Sequence, residues 1–444
     1  MSSHVVVREY AKLTCKPLEM SSLDQACISE QAFDWLCQLG ERFRKQGASL
    51  LQLEGRQWLR LDSYVGVLES PCGQIIEILP KSYDHQPGAG DELETIRRTR
   101  SWLRKMLASA SNLPTREVGE AGLKLGDAPL SEWVMGRFLD ELDHLVKHGL
   151  RFDYVRVEEE APFLRGQLDM GRQLRQPPGR QHKFQICHDL FQLECAEHRL
   201  IRHALDIVCK ATRNAHNWRL SHELQGMLHE LQPSREVEKD FRAWRTDRLM
   251  ARYQGIKQWC ELILQRHMPL ALHGQWRGLS LLYPMERLFE AYVASKLKSQ
   301  LPHGVRLTTQ ARSASLCRYI TPGGQEEAMF QLKPDLLLEG LPTLKVMDTK
   351  WKLINQENRR EQFGLSQQDF YQMLAYGQTY QGGAGDMCLI YPKWRGLDRV
   401  IGPFLLANAA YHQLRLWVLP FDLESGEVVF PSEIDLLPIR VPVN

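Results

Sequence analysis

The stretch LKPDLLLEGLPTLKVMDTKWK (residues 332–352) is the most informative segment for the fold of the last part of this chain. Two short apolar runs flank the segment EGLPT, whose glycine and proline are typical of a turn, so the stretch predicts a β-hairpin. Three charged residues, Asp335, Asp348 and Lys350, interrupt the apolar runs. Charged side chains are rarely buried unless they are paired or bind a metal. These three therefore require a chemical explanation.

The sequence around this hairpin predicts a mixed sheet flanked by helices. In chain order the pattern gives a helix at 284–300, strands at 304–316, 329–338 and 343–352, a helix at 366–381, and strands at 385–391 and about 414–420. This α-β-β-β-α-β succession is typical of a domain in which helices cover a mixed sheet. The expected fold class of the whole chain is mixed α and β, of the α+β kind.

Three zones are predicted along the chain. Residues 1–150 are expected to form a β-rich N-terminal module, because 50–81 contains short alternating segments broken by Gly and Pro. Residues 151–275 show helical apolar spacing and are expected to form a mostly helical connecting region. Residues 276–444 contain the predicted hairpin and form the third zone. A basic helix with five cations is expected within the first zone, and a solvated face is the favoured interpretation over a nucleic-acid or partner contact. Its cations are Arg97, Arg98, Arg100, Arg104 and Lys105.

The charge balance and the motifs of the sequence limit the functions that this chain can have. Of 444 residues, 56 are Lys or Arg and 54 are Asp or Glu, which gives a net charge of +2. That balance is too even to indicate nucleic-acid binding through overall charge, so a DNA contact would need a local patch or a partner. The sequence lacks a G-x4-G-K-[ST] phosphate loop, so any nucleotide motor is expected on another chain.

The sequence also predicts a cytoplasmic protein without a membrane partner. No apolar stretch is long enough to span a bilayer, and the first residues do not resemble a secretory signal. The ten cysteines are scattered without a C-x-x-C pair, which is typical of reduced thiols in the cytosol.

The charged residues of the hairpin are expected to form one site. Residues two apart on a strand point to the same face, so Asp348 and Lys350 project side by side, and the turn returns the chain to Asp335. Two close carboxylates repel each other and need a cation, and oxygen ligands suit Mg²⁺. Lys350 could orient or deprotonate an attacking water, or stabilise charge on a phosphate. The pattern therefore favours phosphodiester hydrolysis over the alternative, an ordinary Asp–Lys pair on a surface hairpin.

The two flanking helices supply further candidates. Glu290, on the helix before the hairpin, is expected to join Asp335 and Asp348 as a metal ligand, unless it lies on an ordinary helix surface. Gln372 and Tyr376 are four residues apart and share a helix face. We expect Gln372 to contact a metal-bound water or the DNA backbone, the alternative being a helix held by packing alone.

The chain resembles the PD-(D/E)XK nuclease superfamily, in its RecB-type branch, in Glu290, PD at 334–335, DTK at 348–350 and QMLAY at 372–376. More narrowly, MERLFEAYV, LKPDLLL, VMDTKWK and DFYQMLAYG resemble the McrC family, the nuclease subunit of McrBC-type modification-dependent restriction systems. Two earlier stretches, YVGVLESPCGQIIEILPK and LRGQLD, fit the same resemblance.

This resemblance implies a Mg²⁺-dependent DNA endonuclease subunit that cleaves double-stranded DNA containing methylcytosine. It also implies a partner, a McrB-like AAA+ GTPase that forms a hexameric ring and binds the GTP, with the first zone as the docking module that stimulates it. Two alternatives remain open: a stand-alone RecB-like repair or recombination nuclease, and a non-catalytic adaptor that activates a partner NTPase.

Overall fold

The computed structural model describes residues 4–45, 47–55, 57–81, 92–111, 113, 128–151, 153–180, 182–192, 195–264, 280–406 and 414–429. The chain forms two compact units, one made of Met1–Glu117 with Leu282–Asn444 (unit 1) and the other of Val118–Leu281 (unit 2). This division differs from the three predicted zones. The first and last zones share unit 1, and 118–150 belongs with the helical region. Sequence periodicity shows which segments form elements, but not which distant segments share a core.

The N-terminal part of unit 1 is rich in strands, as expected from 50–81. Its elements are β1 (His4–Arg8), β2 (Lys12–Thr14), β3 (Gln25–Cys27), α1 (Glu30–Lys45), β4 (Leu51–Glu54), β5 (Trp58–Leu61), β6 (Tyr64–Glu69), β7 (Ile75–Leu79) and α2 (Glu92–Ala110). One sheet has the order β3-β2-β5-β4, and a second has the order β1-β7-β6.

The predicted basic helix is α2, and part of its charge is structural. Arg100 is buried and donates two hydrogen bonds, of 3.1 and 2.6 Å, to the carboxylate of Glu77 on β7. Arg98 lies 3.4 Å from a carboxylate oxygen of Glu424. The expectation of a solvated face is therefore wrong for Arg100, because a buried carboxylate on the neighbouring sheet needs a cation.

Unit 2 is mostly helical. Its elements are α3 (Leu130–Lys147), β8 (Asp153–Ala161), β9 (Gln167–Leu168), α4 (Met170–Gln173), β10 (Phe184–Gln192), α5 (Ala196–Ala211), α6 (Ala215–Met227), α7 (Val237–Ala243) and α8 (Gln254–Ile263). β10 pairs antiparallel with β8 and β9. None of the helices in the described part of the chain is long and apolar enough to cross a membrane.

The C-terminal part of unit 1 contains a seven-stranded mixed sheet. This part of the chain begins with β11 (Leu281–Pro284), which joins the β1-β7-β6 sheet next to β6. The elements that follow are α9 (Met285–Gln300), β12 (Arg306–Thr309), β13 (Ala314–Ile320), β14 (Glu326–Leu332), β15 (Leu336–Glu339), β16 (Lys345–Thr349), α10 (Gln367–Gln381), β17 (Gly385–Pro392), β18 (Ile401–Leu406), β19 (Leu414–Asp422) and β20 (Glu427–Val428). The sheet order is β12-β15-β16-β17-β19-β18, with β20 on β19. β15 and β16 are antiparallel, whereas β16, β17 and β19 are parallel.

The hairpin predicted at 332–352 is confirmed, but two predicted strands are each split. The first divides into β12 and β13 and the second into β14 and β15, so that β13 and β14 form a separate two-stranded sheet. Gln310 ends β12 with a left-handed backbone (φ 49°). Pro334 separates β14 from β15, because proline cannot donate to a strand ladder. Such local breaks are not visible in a pattern of apolar residues.

Helices cover both faces of the central sheet. On one face, Met373 and Tyr376 of α10 pack in a buried cluster with Val346, Leu389 and Val418. On the other face, the aromatic rings of α9 pack against β19, with Phe289 and Tyr292 each making an edge-on contact to Phe421. Parallel strands buried on both faces are expected to be continuously apolar. The charged residues near the end of β16 stand out against this background.

Candidate active site

Asp348 and Lys350 lie side by side at the end of β16. Nζ of Lys350 is 2.7 Å from Oδ2 of Asp348, and the Asp348 side chain is almost completely buried. Both residues have the same strand parity as Val346, so they project toward α10. The backbone N–H of Lys350 donates to the carbonyl of Ile390 on β17, which fixes the lysine at this point of the sheet.

Asp335 is returned to the same place by the hairpin. Its Oδ2 accepts hydrogen bonds of 2.8 Å from both the backbone N–H and the hydroxyl of Thr349. Because Thr349 lies between Asp348 and Lys350, these bonds hold the two carboxylates on adjacent strands near each other. Asp335 directly precedes β15, and the antiparallel pairing of β15 with β16 places it opposite the end of β16.

The electrostatics of this carboxylate pair are unfavourable without a further cation. Burial raises the pKa of Asp348 to about 7, and the nearby charge of Asp335 adds to that rise, whereas Lys350 opposes it. Oδ2 of Asp348 accepts no well-aligned hydrogen bond from the residues that the structure describes, although the Lys350 ammonium is within ion-pair distance. A buried carboxylate oxygen without a well-aligned hydrogen bond favours an additional positive partner.

The carboxylates around Lys350 favour its charged form. Burial on its own would lower its pKa, but the carboxylates of Asp348 and Asp369 outweigh that effect and the pKa of Lys350 is raised. Oδ1 of Asp369, on the first turn of α10, lies 3.4 Å from Nζ. A lysine that stays protonated can donate hydrogen bonds and stabilise negative charge, but it does not accept a proton from water. Of the expected roles, orientation and charge stabilisation fit this environment.

Gln372 and Tyr376 form a chain of hydrogen bonds on one face of α10. Oε1 of Gln372 accepts a hydrogen bond of 3.1 Å from Lys350, and its Nε2 donates to the hydroxyl of Tyr376 at 2.9 Å. The hydroxyl in turn donates to the carbonyl of Lys333, two residues before Asp335. Gln372 therefore contacts the lysine and links it to the preceding strand, so its position suits orienting Lys350.

Glu290 is connected to Asp335 through the side chain of Gln310. Nε2 of Gln310 donates to Oε1 of Glu290 at 2.6 Å and to Oδ1 of Asp335 at 3.2 Å. Burial raises the pKa of Glu290, and the charge of Asp335 raises it further. The sequence pattern predicted Glu290 but not Gln310, whose backbone is left-handed and whose amide donates to both carboxylates. It also missed Asp369, which lies three residues before Gln372 and so shares its helix face.

The end of the DTKWK segment is tied to the first residues of the chain. Nε1 of Trp351 donates a hydrogen bond of 2.8 Å to Oε1 of Glu9, which directly follows β1. Glu9 is fully buried and also accepts from the backbone N–H of Lys81 at 2.9 Å. Burial raises the pKa of Glu9. No pattern in the sequence indicates this contact between residues that are 342 positions apart.

The donor set fits Mg²⁺ better than a metal that needs a complete protein cage. No group of three or more His, Cys, Asp or Glu side chains close enough to hold a metal exists among the described residues. Asp335 and Asp348 nevertheless supply two carboxylates, of which Asp348 is buried and paired with the Lys350 ammonium. Mg²⁺ is commonly held by one or two carboxylates, with water and substrate phosphate completing its shell.

Fold and site together define a mixed α/β protein in which a seven-stranded sheet presents two carboxylates and a lysine at adjacent strand ends. Residues 59–392, more than half of the chain, match a family described as McrBC 5-methylcytosine restriction system component. The chain belongs to this family. Among curated proteins, none is similar enough in sequence to count as a match.

Two solved structures from Thermococcus gammatolerans share the fold. One is a half-complex from a tetradecameric assembly of McrB AAA+ hexamers with bound McrC, matched with a TM-score of 0.65 and 17% identity over 94% of each chain. The other is a McrBC complex, with a TM-score of 0.50 and 18% identity over 66% of this chain and 87% of that chain. At this level of identity, the likeness establishes the fold.

Proposed function

We propose that this chain is the Mg²⁺-dependent DNA endonuclease subunit of a McrBC-like restriction complex that cleaves DNA containing methylated cytosine. In this proposal the central sheet with α9 and α10 is a PD-(D/E)XK-like nuclease domain. The observation that carries the proposal is the convergence of Asp335, Asp348 and Lys350 at the end of β16. Membership of the McrBC component family supports the choice of substrate and of complex.

Each side chain has a separate task in the proposed reaction. Asp335 and Asp348 would hold Mg²⁺, which when bound polarises a phosphate oxygen and lowers the pKa of a water. The Lys350 ammonium stabilises the negative charge that develops on the phosphate, because it is partly buried and fixed in place. Gln372 orients that ammonium, and Gln310 holds Glu290 next to Asp335.

The partner in this proposal is a McrB-like AAA+ GTPase hexamer. The similar solved structure contains McrB hexamers with bound McrC, and this sequence lacks a phosphate-binding loop of its own. GTP would therefore be bound by the partner, and the near-neutral charge of this chain suits DNA that is delivered by another subunit.

The proposal is tested with Asp348→Asn in a complex reconstituted with the McrB-like partner. Cleavage of methylated duplex DNA in Mg²⁺ and GTP should fall by about 100-fold or more, since loss of a carboxylate at the metal removes several kcal/mol of transition-state stabilisation. GTP hydrolysis and complex assembly should be unchanged. The partly exposed ion pair of Asp143 and Lys147 on α3 offers a matched control, and Asp143→Asn should cleave normally.

The outcomes separate this proposal from the alternatives. Undiminished cleavage by Asp348→Asn would contradict the assigned site. Cleavage by the purified chain without partner or GTP would favour a stand-alone nuclease. If the unaltered complex hydrolyses GTP but never cuts DNA, the chain is a non-catalytic adaptor.

A further inference from the structure

A groove of about 910 Å³ lies beside the candidate active site, and most of its lining residues have no role in the reaction described above. It runs along the outer side of α9, between the C-terminal end of α2 and strand β12. Glu290 and Gln310 are among its lining residues, and Gln310 donates to Asp335. The groove therefore adjoins the site through Gln310, which contacts Asp335.

The floor of the groove is one face of α9. Arg287, Ala291, Ala294 and Lys298 line it at spacings of four, three and four residues, which places them in a single row on the helix. The two alanines keep the middle of the row shallow, with a cation at each end. Hydroxyl groups complete the lining. They belong to Ser109, Ser295, Ser299 and Thr309.

The two cations are exposed, and Arg287 also interacts electrostatically with the neighbouring Glu290. Within the described part of the chain, neither Arg287 nor Lys298 forms an ion pair, whereas other cations of unit 1 are paired, such as Lys345 with Asp386 and Arg306 with Glu339. Lys298 follows Arg287 by eleven positions, a separation of about 16 Å along the helix axis. Successive phosphates of one DNA strand are spaced about 3.4 Å along the duplex axis, so several of them would fit along this row.

We propose that this groove binds the phosphodiester backbone of one DNA strand next to the phosphate that is cleaved. The inference rests on the proposed nuclease function and adds the path of the substrate across the protein. Arg287 and Lys298 neutralise phosphates, and the serine and threonine hydroxyls donate hydrogen bonds to phosphate oxygens. Such contacts position DNA without reading its sequence. They suit a subunit that cuts DNA selected elsewhere in a complex.

The test measures DNA binding separately from cleavage. The full chain carrying Asp348→Asn, which prevents cutting, is titrated into a fluorescently labelled DNA duplex over a range of salt concentrations. Adding R287Q and K298Q should weaken binding about tenfold at low salt and reduce the slope of log affinity against log salt by about 2, because two phosphate contacts are lost. The charge-matched control carries K16Q and K45Q, which remove two exposed cations outside the groove.

Three results would overturn the inference. The first is equal weakening by both double variants, which would mean that only overall charge matters. The second is a parent chain that does not bind the duplex at low salt. The third is a groove variant that binds DNA like the control but no longer assembles with the partner ring, which would make the groove a protein-docking surface. Each leaves the proposed function to be judged by the cleavage test of Asp348→Asn.

Discussion

At the scale of single residues, the neighbours of Lys350 define what this side chain can do. Its ammonium contacts oxygens of Asp348 at 2.7 Å, Gln372 at 3.1 Å and Asp369 at 3.4 Å. Three acceptors on two elements restrict the long, flexible lysine to one position. A fixed charge is more effective than a mobile one, because no reorganisation is needed when charge develops on the substrate.

The first residue-scale prediction concerns Gln372, which we regard as a positioning residue. Gln372→Leu keeps the size of the side chain but removes the acceptor for Lys350 and the donor to Tyr376. The catalytic rate constant of the complex should fall about 10- to 100-fold, with little change in KM or in the melting temperature. The measurement is steady-state cleavage of methylated duplex DNA.

Gln378→Leu is the matched control for this prediction, because Gln378 is exposed on the same helix. It should cleave DNA like the unaltered chain. An unchanged rate constant in Gln372→Leu, or a loss that simply follows a lower melting temperature, would show that Gln372 has no positioning role.

At the same scale, some residues of the site were predictable from the sequence and others were not. The two-residue period of a strand was enough to place Asp348 beside Lys350, and the short turn was enough to return Asp335. Gln310 was missed because its orientation depends on a left-handed backbone that glutamine rarely adopts. Asp369 was missed because an acidic residue in the first turn of a helix is commonly explained by the helix dipole.

At the scale of elements, the close approach of α10 to the sheet determines how the helix residues meet β16. Gly377 lies where a Cβ atom would be 2.7 Å from Sδ of Met387 and 2.8 Å from a methyl group of Leu414. Both neighbours are buried in the core cluster. The absence of a side chain at Gly377 therefore lets the helix lie close enough for Gln372 to reach Lys350.

The element-scale prediction is that Gly377→Ala destabilises unit 1. Overpacking of this kind typically costs about 1–3 kcal/mol, even though alanine favours helices by about 1 kcal/mol over glycine. The control is Gly226→Ala on α6, where a Cβ would meet no atom within 4 Å. Thermal unfolding should show a lower melting temperature for the first variant and an unchanged or higher one for the second. A stabilised Gly377→Ala would contradict the tight contact.

At the scale of the whole molecule, a buried carboxylate joins the two ends of unit 1. Glu9 accepts hydrogen bonds from Trp351, next to the candidate catalytic lysine, and from the backbone of Lys81. The Trp351 ring also lies 5.3 Å, centroid to centroid, from Phe289, the neighbour of Glu290. The contact between Glu9 and Trp351, which are distant in sequence, thus supports both the end of β16 and helix α9.

This contact leads to a prediction about pH. Because burial raises the pKa of Glu9 in the folded protein, the folded state binds a proton more readily than the unfolded state, and stability falls as the pH rises above the ordinary carboxyl range. Glu9→Gln keeps an acceptor for Trp351 without the buried charge. Its melting temperature should exceed that of the unaltered chain at pH 8, and the difference should shrink toward pH 4.5.

Glu9→Leu is the companion variant. It leaves the buried donors of Trp351 and Lys81 without their acceptor, which costs about 1–3 kcal/mol for each donor. It should lower the melting temperature at every pH. If Glu9→Gln is destabilised as strongly at pH 8 as Glu9→Leu, the charge of Glu9 is needed for stability and the predicted sign is wrong.

Local patterns in the sequence were enough to predict the hairpin at 332–352, the flanking helices, the mixed character of the sheet and the side-by-side placement of Asp348 and Lys350. These features follow from local periodicity and turn chemistry, which a linear sequence contains. The folded chain was needed to show that its first and last parts share one unit, that Gln310 links Glu290 to Asp335, and that Glu9 binds Trp351. The physical reason is that burial and charge pairing between distant segments depend on how the whole chain packs, and no local pattern records it.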